Sequence, residues 1–243
     1  MRLRPGPWVG AAALLALLFG GWRLHRSRTY QLLGEIVPRV ETTDSIVALT
    51  FDDGPWPPYT DSVLATLARK GVRATFFVIG QGLRDHPEAG RRIVAAGHEL
   101  GNHSFSHRYM VFKSVGFAER ELAQTDRLIR AAGHRGPIHF RAPYGRKLVL
   151  LPYVLWRSGR KDIMWDLEPD SYPEIARDSA RIVEYVERRA RPGSILLLHL
   201  FGRSHEAGRK ALPAVIDRLR ARGYRLTTVD ELLAHAARTD DAD

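Results

Sequence analysis

The sequence predicts an α/β protein in which seven short parallel strands alternate with helices and form one barrel, complete or slightly open. Three observations carry that prediction. Runs rich in β-branched and aromatic residues recur at 46–51, 74–79, 98–100, 138–140, 162–166, 194–200 and 225–228, with helical patterns between them. Parallel neighbours need a helix-length crossover, and this alternation supplies one each time. No stretch rich in Gly, Pro or Ser breaks the series between 45 and 238, so one domain fits better than two.

The elements follow in chain order. Residues 1–28 form a hydrophobic segment whose stretch from Pro5 to Trp22 carries no charge. As a helix that stretch spans about 27 Å, close to the hydrocarbon thickness of a bilayer. Trp8 and Trp22 stand near its ends, where interfacial aromatics are favoured. The run ends in Gly-Gly-Trp-Arg-Leu-His-Arg, a poor match to a small-x-small cleavage site. An uncleaved anchor helix is therefore expected ahead of a cleaved signal peptide or a buried core helix. Residues 29–44, with Pro38, read as a connector, and 239–243 as a polar tail. Within the barrel, Thr60 or Asp61 can cap a helix that Gly71 stops, and Pro87 suits the first turn of one ending near Gly97. Ser114 can cap a helix stopped by Gly133, Pro173 opens one running through Arg191, and 212–222 is amphipathic up to Gly223.

Composition narrows the function classes. Of 243 residues, 44% are apolar and 26% charged, as in an ordinary globular protein. Formal charge is +10, but five Arg in the first thirty residues, which hold no acid, leave +5 for the rest. No basic run interleaved with aromatics appears, so no nucleic-acid partner is expected. Cysteine is absent, which excludes disulfides, thiolate metal sites and cysteine nucleophiles.

In parallel α/β folds the working side chains gather at the C-terminal ends of strands. Asp52 and Asp53 end the first candidate strand, before a Gly-Pro breaker. Neighbours on an extended segment point to opposite sides, which suits one carboxylate to a metal and the other to a proton. His103 and His107 follow the third strand, four apart, so one helical turn would put both imidazoles on one side. Two imidazoles and a carboxylate make a three-ligand site for Zn²⁺ or a similar ion. Arg141 follows the fourth strand, Asp166, Glu168 and Asp170 end the fifth, and His199 ends the sixth. Each has a plainer alternative: an acidic turn at Asp52-Asp53, a surface histidine pair, a surface ion pair at Arg141, a helix N-cap at Asp170, a core histidine at His199.

Together these segments resemble the polysaccharide deacetylases of the NodB-homology type, family four of the carbohydrate esterases. Thr50-Phe-Asp-Asp-Gly-Pro55 is similar to their first motif, His103-Ser-Phe-Ser-His107 to the second, Arg141-Ala-Pro-Tyr-Gly145 to the third and Leu197-Leu-His199 to the fifth. The fourth departs: an aspartate followed by tryptophan is usual there, whereas this chain has Trp165-Asp-Leu-Glu-Pro-Asp-Ser-Tyr172. Asp170 is taken as the matching aspartate, with Glu168 and Asp166 as rivals, and Tyr172 as a substitute for the missing tryptophan. The resemblance implies a distorted (β/α)7 barrel over 45–238. It implies that Asp53, His103 and His107 hold one divalent ion, Zn²⁺ first, with Co²⁺, Ni²⁺ or Mn²⁺ as alternatives. Asp52 would be the general base, Arg141 its partner, His199 the general acid and Asp170 the residue aiming it. The Tyr144 backbone N–H would stabilise the oxyanion, and Leu197 would pack on the acetyl methyl. The implied activity is hydrolytic removal of N-acetyl groups from an N-acetylglucosamine-type polysaccharide: cell-wall glycan, a chitin-like chain or an exported polymer. Alternatives are a deacylase of smaller amides or esters and a non-catalytic glycan-binding relative. The expected setting is a membrane-anchored protein with its barrel outside the cytoplasm, or a secreted one after cleavage.

Overall fold

Residues 7–240 are described by a computed structural model. They run α1 (Pro7–Arg26), β1 (Ile36–Val37), β2 (Ile46–Gly54), α2 (Tyr59–Lys70), β3 (Thr75–Val78), α3 (Gly80–Asp85), α4 (Pro87–Ala95), β4 (Glu99–Asn102), α5 (Val115–Ala131) and α6 (Leu150–Arg157). There follow β5 (Asp162–Ile163), α7 (Pro173–Ala176), α8 (Ser179–Arg189), β6 (Ile195–His199), α9 (Glu206–Ala221), β7 (Arg225–Thr227) and α10 (Val229–Asp240).

Every strand ladder is parallel. The sheet order is β4-β3-β2-β6, β7 lies against the first residues of β2, and β1 pairs with β5. Single parallel bridges, Asn102 to Phe140, Phe140 to Asp162 and Leu167 to Leu196, extend the pairing between β4 and β6. The α/β class is therefore as expected, but two of the seven expected strands are reduced. The one at 138–140 is reduced to one residue, Phe140, bridged on both sides and lying between Pro137 and Pro143, which bring no N–H to a ladder. The one at 162–166 keeps only Asp162–Ile163.

Alternation along the strands builds two cores. Val47, Leu49 and Phe51 of β2, Phe76 and Val78 of β3, and Leu196 and Leu198 of β6 pack under α2, α8 and α9. Ile46 and Ala48 of β2, Phe77 of β3, and Ile195 and Leu197 of β6 face the other way, against Phe140, Ile163 and Trp165. Strands buried on both faces read as continuous apolar runs, which is why β2 and β6 were plain in the sequence. Continued by twos, the second face passes from Ile46 and Ala48 to Thr50 and Asp52, and from Leu197 to His199.

Several expected boundaries move. The helix foreseen from Pro173 to Arg191 is two, because the Asp178 side chain accepts from Ala180 N and Arg181 N and starts α8 afresh. Thr60 does not cap α2; its Oγ1 accepts from Trp56 N. Ser114 does cap α5, accepting from Phe117 N. The 29–44 connector contains β1, with Val37 and Val40 buried, so it is part of the α/β body.

The expected anchor at 1–28 is not supported: among the described residues no helix is long and apolar enough to cross a membrane. Leu14, Leu15, Leu17, Leu18 and Phe19 are exposed along α1, but its last turn carries Arg23, His25 and Arg26 and ends on the body, where Lys147 N donates to His25 O. Residues 1–6, and 241–243 of the expected polar tail, lie outside the described residues.

Candidate active site

The interior column of β2 ends in Asp52, which is buried and accepts from Arg141 Nη1 at 2.7 Å. By simple alternation Asp53 would point the opposite way. It does not, because the ladder with β3 slips between Asp52 and Gly54 and Asp53 takes φ 72°. This bulge turns the second carboxylate back to the first one's side. His103 Nε2 then lies 3.6 Å from both Asp52 Oδ2 and Asp53 Oδ1. The expectation of carboxylates on opposite sides is corrected: they share one cavity.

The histidine segment is a loop, not the expected helical turn. Asn102 Oδ1 accepts from Ser104 N, and Ser104 Oγ accepts from His107 N. Glu121 on α5 accepts from Phe105 N and from both Ser106 N and Ser106 Oγ. Ser104 and His107 have φ 64° and 52°. The imidazoles still meet, their centroids 4.9 Å apart. His103 Nδ1 sits 2.9 Å from Arg141 O, a contact that requires the proton on Nδ1 and leaves the Nε2 lone pair facing the carboxylates.

Arg141 is fully buried, with Nε donating to Ile163 O, Nη2 to Met164 O and Nη1 to Thr50 Oγ1 as well as Asp52. Burial alone would raise the Asp52 carboxyl, but Arg141, then His103 and His199, hold it below the usual carboxylate range. Asp162 Oδ1 accepts from Ala142 N and so fixes the turn that follows Arg141.

Of the three acids at 166–170, the fold brings Asp170 to His199: its Oδ2 is 3.0 Å from His199 Nδ1 and 2.6 Å from His199 N. Asp166 instead ties down the start of β6, accepting from Ser194 Oγ and Ile195 N. Glu168 accepts from Trp165 Nε1 and Arg28 Nη1. Burial works to lower His199, but the Asp170 hydrogen bond and charge, followed by Asp52 and Asp53, raise it to about 10.

Asp53, His103 and His107 offer ligand atoms all within 4.8 Å of one another. Asp53 Oδ1 is buried without a hydrogen-bond partner and lies 3.2 Å from His107 Nε2. Burial, and then the neighbouring His103, hold His107 at about 4, so its imidazole is neutral at pH 7. A neutral imidazole and an unsatisfied carboxylate oxygen fit a divalent cation. The other such grouping among the described residues, Glu168, Asp170 and His199, is already bonded to neighbours.

These groups line a cleft of about 320 Å³ with Tyr109, Tyr144, Arg146, Trp165 and Glu168. Tyr144 has φ 58°, stacks on Tyr109 at 4.2 Å and leans on His107. Asp53, His107 and Tyr144 are three of the five described non-glycine residues with positive φ, so backbone strain is concentrated at the cleft. Leu197 is fully buried in the interior core and is not a lining residue. Tyr172, expected to replace the missing tryptophan, packs on Tyr185 outside the cleft, whereas Trp165 forms part of its wall. Tyr109 and Arg146 were missed, although each follows a recognised motif by one or two residues.

The polysaccharide deacetylase family model matches residues 39–159. A chitooligosaccharide deacetylase of Sinorhizobium fredii is 40% identical over 67% of this chain and 75% of its own length. A peptidoglycan-N-acetylglucosamine deacetylase of Bacillus cereus is 31% identical over 83% of this chain and 94% of its own length. Among solved structures, a CE4 family pseudoenzyme from Bacillus anthracis, 26% identical, superimposes with TM-score 0.74 over 83% of this chain and 69% of its own.

Proposed function

This chain belongs to the polysaccharide deacetylase family, the NodB-homology or CE4 hydrolases of carbon–nitrogen bonds, and from that premise we propose that it removes N-acetyl groups from an N-acetylglucosamine-containing glycan. One observation carries the reading above all. Asp52 and His199 are register partners on adjacent parallel strands, β2 and β6, so a base and an acid stand about 4.8 Å apart in backbone spacing, with Asp53 3.6 Å from His103 and 4.0 Å from His199.

Asp53, His103 and His107 would hold a divalent ion, which supplies Lewis-acid activation of water and of the acetamide oxygen when bound. Asp52, kept ionised by Arg141, takes the proton of the attacking water. His199, protonated at neutral pH through Asp170, donates to the amide nitrogen as the bond to the acetyl carbon breaks. The Tyr144 N–H faces the developing oxyanion. Trp165 walls the acetyl pocket, with Leu197 packed beneath it, and Tyr109 and Tyr144 offer an exposed aromatic face to the sugar. Peptidoglycan lies outside the cytoplasmic membrane, and that is where a deacetylase of this kind works.

The test couples metal analysis of the full chain to acetate release from peptidoglycan and chito-oligosaccharides. Asp52→Asn is expected to keep its metal and lose about 10²–10⁴-fold in rate, while His103→Ala loses both. The likeness to a pseudoenzyme supports a second reading, a glycan binder without turnover. Tight glycan binding by metal-loaded wild type with no acetate released from either polymer would establish it instead.

A further inference from the structure

Arg146 directly follows the 141–145 turn and lines the cleft beside His107, Tyr109 and Tyr144. The acids around the cleft are engaged elsewhere: Asp52 with Arg141, Asp53 with the two imidazoles, Glu168 with Arg28 and Asp170 with His199. Among the described residues Arg146 is left without an ion pair, half-buried and facing the space a sugar would enter.

It is not the only cation there. Lys147 is buried, its Nζ donates to Ser27 O and its N–H to His25 O. A buried ammonium demands such an acceptor, so residues 25–28 are pinned to the body rather than left to drift. That pin delivers Arg28 onto the cleft wall, 5.2 Å from the Trp165 ring and 3.1 Å from Glu168. Burial first, and then the charges of Arg26 and Arg28, pull Arg146 below the usual guanidinium range. A groove of about 440 Å³ continues from the cleft, sharing Trp165 and Glu168, and its further arginines are matched by acids, Arg39 by Glu41 and Arg191 by Asp166. With Arg28 matched by Glu168, the unpaired guanidinium of Arg146 on the cleft wall is the charge that an incoming anion would satisfy.

We propose that this edge of the cleft reads a carboxylate on the glycan. Arg146 grips the acid group of a sugar next to the one that loses its acetyl. The preferred substrate is then an acidic N-acetylated glycan rather than a neutral one. A guanidinium fork suits a carboxylate because two parallel N–H bonds can form at once. This inference rests on the deacetylase reading for the position of the sugar, but not for its test. The carboxylate has two sources of one chemistry: a lactyl ether on the ring, or an oxidised C6.

The experiment uses metal-loaded full-length protein and three oligomers of equal length. One is neutral N-acetylglucosamine, one alternates with lactyl-bearing sugars, and one carries C6 carboxylates. Calorimetric affinity and acetate release are both measured, at low and high salt. Wild type is expected to favour an acidic oligomer about tenfold in Kd and in kcat/KM, with the preference shrinking in salt. Whichever acidic oligomer wins identifies the source. Arg146→Gln should remove most of that preference through KM, with a several-fold smaller loss on the neutral oligomer, and Arg146→Lys should fall between. Equal affinity of wild type for all three oligomers, or an Arg146→Gln loss of equal size on each, overturns the inference. Arg146-dependent binding of an acidic oligomer without acetate release would instead sink the deacetylase reading and leave this one standing.

Discussion

At the C-terminal end of the sheet, His103 and His107 face Asp52 and Asp53. At the N-terminal end, His139 Nε2 lies 3.6 Å from Glu99 Oε1 and 3.4 Å from Asp230 Oδ1. Each end keeps a buried carboxylate oxygen without a hydrogen-bond partner, Asp53 Oδ1 and Glu99 Oε1. The resemblance stops there. Glu99 Oε2 accepts from Thr75 Oγ1 and Asp230 N, and Thr75 Oγ1 accepts from Val229 N, so the lower cluster closes the N-terminus of α10. Among the described residues its three ligand atoms do not converge within the 4.8 Å that Asp53, His103 and His107 achieve. A histidine among acids is therefore not a site by itself. Convergence is what separates a candidate metal site from a helix fastening.

Breaking each end in turn tests that contrast. Asp170→Asn should have the largest effect. Burial lowers His199, and it is Asp170 above all that reverses this and raises it to about 10. With Asp170 gone the imidazole should lose its proton at lower pH, and under the proposed mechanism less of it could donate to the leaving nitrogen at pH 7. Deacetylation should fall about 10²–10⁴-fold, and the alkaline limb of the pH–rate profile should move down from near 10. Linkage gives the matching sign for wild-type stability. The His199 contribution is complete below the unfolded pKa of about 6.5 and disappears as pH rises through about 10, which pH-dependent denaturation of wild type and Asp170→Asn would record.

Glu99→Ala comes next and should act on the opposite property. It leaves the Asp230 N–H and the Thr75 hydroxyl short of an acceptor, at a cost of about 2–3 kcal/mol in denaturant unfolding. The rate per folded molecule should stay near wild type, and a tenfold loss of rate at full folding would contradict the division of labour between the ends. Asp230→Asn is the mildest. Its carboxylate is half-exposed, so loss of the His139 pairing and of an acid in the first turn of α10 should cost no more than about 1 kcal/mol by the same measurement.

Legibility followed the range of the physics. Ser114 and Pro87 were readable because a cap or a first-turn proline is settled by neighbours a few residues away. The apolar faces of β2 and β6 were readable because burial on both sides leaves no polar alternation. β1 was hidden, since two residues carry no period and their partner, β5, lies far along the chain. Spacing alone left Asp166, Glu168 and Asp170 open and the motif resemblance singled out Asp170; that it reaches His199 depends on how the segment before α7 crosses β6. That Trp165 and not Tyr172 reaches the cleft wall has the same reason.

By itself, the sequence determined which chemistry is present and at which strand ends it emerges, because residue type and local hydrophobic pattern are properties of short stretches. Only the tertiary structure decided where those groups point. The bulge that turns Asp53 beside Asp52, the looped path of His103 to His107 held by Glu121, and the reach of Asp170, the aspartate that the motif resemblance singled out, to His199 each depend on partners distant in sequence. Side-chain direction at a site is set by pairing and packing across the fold, and no window of neighbouring residues contains those partners.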